Sequence, residues 1–310
     1  MRVGVIGVGA MGQHHVRIYN EMANVELIGI SDVSESRVNE LSSQYGVPGF
    51  IDHTELLKQD LDAISIAVPT TLHKQVGLDA IACGINILIE KPLSDTIENA
   101  KDLVNAASDA GVKLMVGHIE RFNPAVMKLK HLMDSGLLGK IVSISTRRVG
   151  PYNPRIRDVG VILDIGVHDI DIISYLYAKK VKEIYAIAGS NIHSFEDHAA
   201  ILLRFDHEFS GIVETNWLTP HKIRKLTAIG TDGVAYLDYI DQTVELHDGE
   251  WIRQAKIEKS EPLKNELEYF IKSISNGMDP YPSGSDGLHV LEVAKAAIRS
   301  YSEARAIKIQ

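Results

Sequence analysis

The opening of this chain constrains its fold most. Arg2-Val3-Gly4-Val5-Ile6 runs as a short apolar strand straight into Gly7-Val8-Gly9-Ala10-Met11-Gly12, a G-x-G-x-x-G turn. In a βαβ unit the first glycine permits the tight turn and the second lets backbone approach a pyrophosphate. The third lets the next helix pack close to the strand. That helix offers unpaired N–H groups and the positive end of its dipole to the phosphates. A second apolar run, Val25-Glu26-Leu27-Ile28-Gly29-Ile30, ends at Ser31-Asp32, with Asp32 twenty residues past Gly12. A carboxylate at that spacing accepts hydrogen bonds from the adenosine ribose. The two segments together predict a dinucleotide site. Alone, the turn would also suit a nucleotide-free α/β protein with Asp32 as a loop carboxylate.

A chain of 310 residues exceeds one small core and predicts two domains, 1–120 and 121–310, with the C-terminal helix able to pack back on the first. The net charge of −9 argues against nucleic acid as a partner. No stretch approaches the about 20 uninterrupted apolar residues of a membrane span, and the chain enters a strand at once, without a signal segment. The single cysteine, Cys83, excludes an intrachain disulfide and fits a reducing cytoplasm. At the end of a predicted helix it reads as a buried small apolar side chain or as a reactive thiol.

Up to about residue 120, strand and helix patterns alternate. Strands are expected at 2–7, 25–31, 63–68, 86–90 and 113–117, and 51–57 reads as a short strand followed by a one-turn helix. Helices are expected at 11–23, 34–45, 72–83 and 95–110, with Ser34 capping the second and Ser94 or Asp95 the last. This rhythm predicts a parallel sheet covered on both faces. Beyond it come a helix near 124–135 and strands at 141–149, 181–190, 198–205, 210–218, 223–230, 233–239 and 242–247. Some join through tight turns such as His207-Glu208. Helices are expected at 164–178, 262–276 and 285–305. The pattern is that of an α+β domain with a large, mostly antiparallel sheet.

Glu90-Lys91-Pro92 falls at the carboxyl end of a parallel strand, the edge where such sheets bind ligands. Lys91 either points into that cleft, to stabilise a developing alkoxide, or pairs with Glu90 at the surface. In Asp164-Ile165-Gly166-Val167-His168-Asp169-Ile170-Asp171, a helix places Asp164 and His168 on one face. His168 can accept a hydroxyl proton as hydride leaves the same carbon. Otherwise Asp164 is a helix cap and His168 a satisfied core residue. No metal is expected, because His14, His15 and His118 form no ligand motif with this pair.

These three motifs together, in their order along the chain, resemble the Gfo/Idh/MocA oxidoreductase family over its whole length. The resemblance implies an α/β fold: an N-terminal Rossmann domain, then an α+β domain with a large, mostly antiparallel open sheet. It implies an NAD(P)-dependent enzyme interconverting a sugar or cyclitol alcohol and its ketone. Lys91, Asp164 and His168 would be catalytic, with His168 the proton acceptor. Cofactor contacts would come from Gly7, Gly9, Met11, Gly12, Asp32, Pro69, Thr70, His73, Glu90, Lys91 and Arg121. The open sheet would bury against a second subunit, giving a homodimer or homotetramer. Asp32 favours NAD over NADP, since a carboxylate repels a 2′-phosphate. Arg37 would stack on adenine or stay solvated.

Four arginines, Arg147, Arg148, Arg155 and Arg157, fall within eleven residues around Tyr152. Guanidinium forks suit phosphate oxygens, and a tyrosine stacks on a sugar or base. Arg147, Tyr152, Arg155 and Arg157, with Lys91, Asp164 and His168, are therefore the candidate substrate residues. They favour a nucleotide sugar. With Glu120-Arg121-Phe122-Asn123-Pro124, the segment resembles the UDP-N-acetylglucosamine 3-dehydrogenase branch of the family, which implies the 3-hydroxyl of that sugar as the reacting group. A free polyol such as myo-inositol, or an NAD-binding sensor without turnover, are the alternatives. The arginines also suit a solvated basic loop.

Overall fold

The computed structural model describes residues 1–154, 159–206 and 209–309. The chain divides into two units: Met1–His118 with Leu263–Leu288, and Ile119–Pro262 with His289–Gln310. Among the described residues no helix is long and apolar enough to cross a membrane.

In the first unit, β1 (Arg2–Ile6), α1 (Gly12–Glu21), β2 (Glu26–Ser31), α2 (Glu35–Tyr45), β3 (Gly49–Phe50), α3 (His53–Leu57), β4 (Ala63–Ile66), α4 (His73–Ala82), β5 (Asn86–Glu90), α5 (Ile97–Ala110) and β6 (Leu114–Gly117) follow one another. The strands form a parallel sheet of order β3-β2-β1-β4-β5-β6. Every residue of β4 and β6 is buried, as are all but the first of β1 and β5. The sheet is thus covered on both faces, as its unbroken apolar runs require. The strand order reverses between β1 and β4, and ligands of such sheets bind at that switch point. Val116 N–H donates to Pro282 O, so the returning segment lies along the β6 edge.

The expected helix ends shift slightly. The cap of α5 is Thr96, whose hydroxyl accepts from Asn99 N–H, while Asp95 accepts from Thr96 N–H just outside. Ser34 holds the cap position of α2 but makes no side-chain cap bond. Cys83 ends α4 exposed, not buried, because the chain turns outward there into Gly84.

The second unit holds α6 (Pro124–Asp134), β7 (Ile141–Pro151), a π-helical turn (Ile162–Gly166), α7 (Val167–Tyr177), β8 (Glu183–Gly189), β9 (His198–Arg204), β10 (Ser210–Asn216), β11 (Leu218–Gly230), β12 (Val234–Asp238), β13 (Thr243–His247) and β14 (Ile252–Gln254). After α8 (Pro262–Ser275), α9 (Gly284–Glu303) leads back to β15 (Ile307–Lys308). Its nine strands run β14-β13-β12-β11-β7-β10-β9-β8-β15, antiparallel except for the pair β7–β10. Helices α6 and α7 pack on one face. Burial alternates along β8, β9 and β10, so the other face is open. The short strands β14 and β15 carried no sequence signal. The turn expected at His207-Glu208 lies outside the described residues.

Candidate active site

In the first unit the glycine turn is shaped by close approach. Gly7 has φ +85°, and a Cβ there would lie 2.6 Å from the Ala67 carbonyl carbon. A Cβ on Gly12 would lie 1.8 Å from Gly7 O, so α1 starts against the turn itself. At Gly9 a Cβ would meet nothing within 4 Å, which leaves room for a pyrophosphate against bare backbone. Asp32 accepts from Val8 N–H (2.8 Å) through one oxygen and from Ser34 N–H (2.9 Å) through the other. The carboxylate is thereby fixed at the end of β2, and each oxygen keeps a lone pair for a ribose hydroxyl. These residues fit a dinucleotide.

Arg37 is paired rather than simply solvated. It is half-buried and donates to Glu40 (2.6 Å), Gln13 Oε1 (3.1 Å) and Val8 O (3.3 Å). Beyond β4, Pro69 is exposed and Thr70 half-buried. His73 is buried, its Nδ1 3.0 Å from Pro92 O and its Nε2 3.0 Å from Val68 O. Burial pushes the His73 ring below its ordinary value, with the two carbonyls opposing. Glu90, last in β5, is buried and receives His15 Nε2 at 3.1 Å. Lys91 follows half-buried.

In the second unit the expected regular helix is split: Asp164 sits in the π-helical turn and His168 in the first turn of α7. Such wide turns recur at functional sites. From Val161 to Ser174 only Asp164, Ile165 and His168 are half-buried; every other residue is buried. Asp164 is therefore half-buried, and the cap positions of the two helical turns are Val161 and Gly166. Its Oδ2 accepts the indole N–H of Trp217 at 3.3 Å. Trp217 in turn lies 5.2 Å from the Tyr152 ring and 5.7 Å from His193, while Tyr152 and His193 stack at 3.8 Å.

Asp197 shapes the loop carrying His193. Its carboxylate accepts from the Asn191 and Ile192 N–H groups, both at 2.7 Å, and from His198 Nδ1 at 3.0 Å. Burial works against its charge, but the His198 contact and these N–H groups prevail and hold its pKa well below the carboxylate range.

The two aspartates after His168 are anchors. Asp169 accepts from Arg148 Nε (3.0 Å), whose Nη1 donates to Glu120 (2.7 Å), and all three are buried. Burial disfavours the Arg148 charge, but Asp169 and Glu120 overcome it and raise its pKa. Asp171 takes both ends of the Arg121 guanidinium, at 2.6 and 2.9 Å. Arg121 thus braces α7 through this buried fork.

The four arginines do not form one cluster. Arg147 and Arg148 are neighbours on β7 and so point to opposite faces. Arg147 lies on the open face, 3.2 Å from Glu214. Arg155 and Arg157 lie outside the described residues. His15, Glu120, His193 and Trp217 were not singled out from the sequence. Only Trp217, one of two tryptophans, ending a strand, carried a signal.

The glycine turn and the fixed carboxylate at the end of β2, on a doubly covered parallel sheet, define a dinucleotide-binding protein. Residues 1–118 match the model of an oxidoreductase family with an NAD-binding Rossmann fold, and residues 126–236 match the GFO/IDH/MocA C-terminal domain. The chain belongs to the Gfo/Idh/MocA family and is a dehydrogenase of the kind acting on CH–OH groups. It is 28% identical to myo-inositol 2-dehydrogenase of Thermotoga maritima, covering 100% of this chain and 99% of that one. It is 27% identical to UDP-N-acetylglucosamine 3-dehydrogenase of Acidithiobacillus ferrooxidans, over 95% of each chain. A solved structure of the latter enzyme superposes with a TM-score of 0.91 at 26% identity, covering 98% of each chain.

Proposed function

We propose that this chain oxidises a ring hydroxyl of a nucleotide sugar, best the 3-hydroxyl of UDP-N-acetylglucosamine. The observation that supports the catalytic part is the half-buried Asp164/His168 pair in a segment whose other residues, Ile165 apart, are buried. His168 takes the hydroxyl proton. Asp164, oriented by the Trp217 N–H, binds the neighbouring hydroxyl or the imidazole. Lys91 holds the reacting oxygen and stabilises its developing charge. NAD, when bound, accepts the hydride from the carbinol carbon. The stacked Tyr152 and His193 rings beside Trp217 offer a flat surface for a sugar or base.

The test is NAD reduction, read by absorbance, with UDP-N-acetylglucosamine and with myo-inositol. Turnover of the nucleotide sugar alone supports the reading, and turnover of myo-inositol alone replaces it with a free-cyclitol dehydrogenase. One observation favours that second reading: Arg147 faces the open sheet, which leaves any diphosphate clamp to Arg155 and Arg157. Lys91→Ala should keep NAD affinity and lower kcat by about 10²–10⁴-fold. Unaltered behaviour there would indicate an NAD sensor.

We also infer a homodimer or homotetramer through the open sheet. Exposed Ile187, Leu202, Ile212 and Ile229 support it. A cytoplasmic setting fits the single cysteine.

A further inference from the structure

Lys91 leaves the chain at a turn. Ladder pairing of β5 ends at Glu90, opposite Gly117. Pro92 has no N–H to donate. Where the Lys91 side chain starts therefore depends on how the residues on either side of it are held.

Both neighbours are held by buried histidines. His15, fully buried on α1, lies with Nε2 3.1 Å from Glu90 Oε1. A carboxylate accepts, so the ring donates, which places a proton on Nε2. A Cβ on Gly117 would fall 3.1 Å from Glu90 Oε2, so residue 117 leaves space for the carboxylate in this pose. On the other side His73, the first residue of α4, contacts Pro92 O and Val68 O at 3.0 Å each. A ring that burial keeps neutral carries one N–H, so it donates to one of these carbonyls and lies against the other, between the turn after β5 and the turn after β4. The two histidines sit on the helices that follow the glycine turn and the Pro69-Thr70 turn.

We propose that His15 and His73 are positioning residues that clamp the Glu90-Lys91-Pro92 turn from its two ends and so set where the Lys91 ammonium emerges. The inference rests on the catalytic role proposed for Lys91. It adds a physical link between the dinucleotide crease and the lysine, because α1 begins at the glycine turn.

The test compares wild type with His15→Asn and His73→Asn, whose side chains are too short to span these contacts, and with His73→Gln, which retains a donor of greater reach. Lysines are tagged by reductive ¹³C-methylation, and the Lys91 resonance is the one that Lys91→Arg removes. In both Asn variants kcat should fall about 10–100-fold, the scale expected when an orienting partner is lost, and His15→Asn should bind NAD within about threefold of wild type. The Lys91 resonance should move and broaden in both, and His73→Gln should recover part of kcat. An unmoved Lys91 resonance in both Asn variants overturns the proposal. A second measurement needs no variant: the ring N–H protons of His15 and His73 should resist exchange in wild type, and rapid exchange of both overturns it as well. Full turnover by Lys91→Ala would instead remove the catalytic role of Lys91, while its resonance still judges the clamp.

Discussion

The two sheets of this molecule solve the same problem differently. The first is parallel and buried on both faces, so its strands are almost wholly apolar and its polar business is confined to the strand ends. The second is mostly antiparallel, has helices on one face, and alternates in and out along each strand. The second sheet can therefore carry charge at mid-strand. On β7, Arg148 faces α7 and joins Glu120 and Asp169, while its neighbour Arg147 faces out to Glu214. In the first sheet, chemistry sits at an edge; in the second, it is braced from within.

That contrast can be broken by substitution. The largest effect is expected from Arg148→Met, which leaves Asp169 buried without its hydrogen-bonded cation and Glu120 with the more distant Arg224, at 3.8 Å, and should cost about 3–5 kcal/mol in urea unfolding. A loss below about 1 kcal/mol would mean the network is not a brace. Next, Ile64→Ala in the doubly covered sheet should cost about 2–5 kcal/mol. The matching Ile212→Ala on the open face should change protomer stability by no more than about 0.5 kcal/mol. Equal losses at the two sites would erase the distinction between the sheets.

Asp197→Asn should cost about 1–3 kcal/mol at neutral pH through its lost charged acceptor. The sign follows from the folded pKa lying below the unfolded one. The stabilisation is complete above the ordinary carboxylate value of about 4 and is lost as pH falls through the folded value. Wild type and Asp197→Asn should therefore converge in acid, and a constant difference between them from neutral pH into acid would reject the assignment. The smallest effect on the fold is expected from Ile212→Glu, within about 0.5 kcal/mol for the protomer. Its readout is mass by light scattering: the inferred oligomer should dissociate, and an unchanged mass would move the interface elsewhere.

The first unit was legible because its signals are local. A glycine turn, unbroken apolar runs and strand-ending prolines each mark their own position, and Gly7, Gly12 and Asp32 occupy the conformations such a turn demands. The mostly antiparallel sheet of the second unit was legible from period-two alternation. What escaped was nonlocal. Nothing near Asp169 in the chain marks Arg148 as its partner, and nothing near Trp217 marks Asp164. Nearness in sequence also hides the alternation of a strand, which sends Arg147 and Arg148 to opposite faces of β7. Cys83 was misjudged because its apolar helix ends one residue before it.

Asp32 spends one oxygen on the amide of Val8 and the other on that of Ser34. The group we propose to discriminate between nucleotides is thus also a strut of its own loop. Anyone re-engineering this protein for a phosphorylated ribose cannot simply delete the negative charge. The replacement must be a neutral acceptor short enough to reach both amides, and an arginine placed there without one would gain a counter-charge while slackening the loop it is meant to serve.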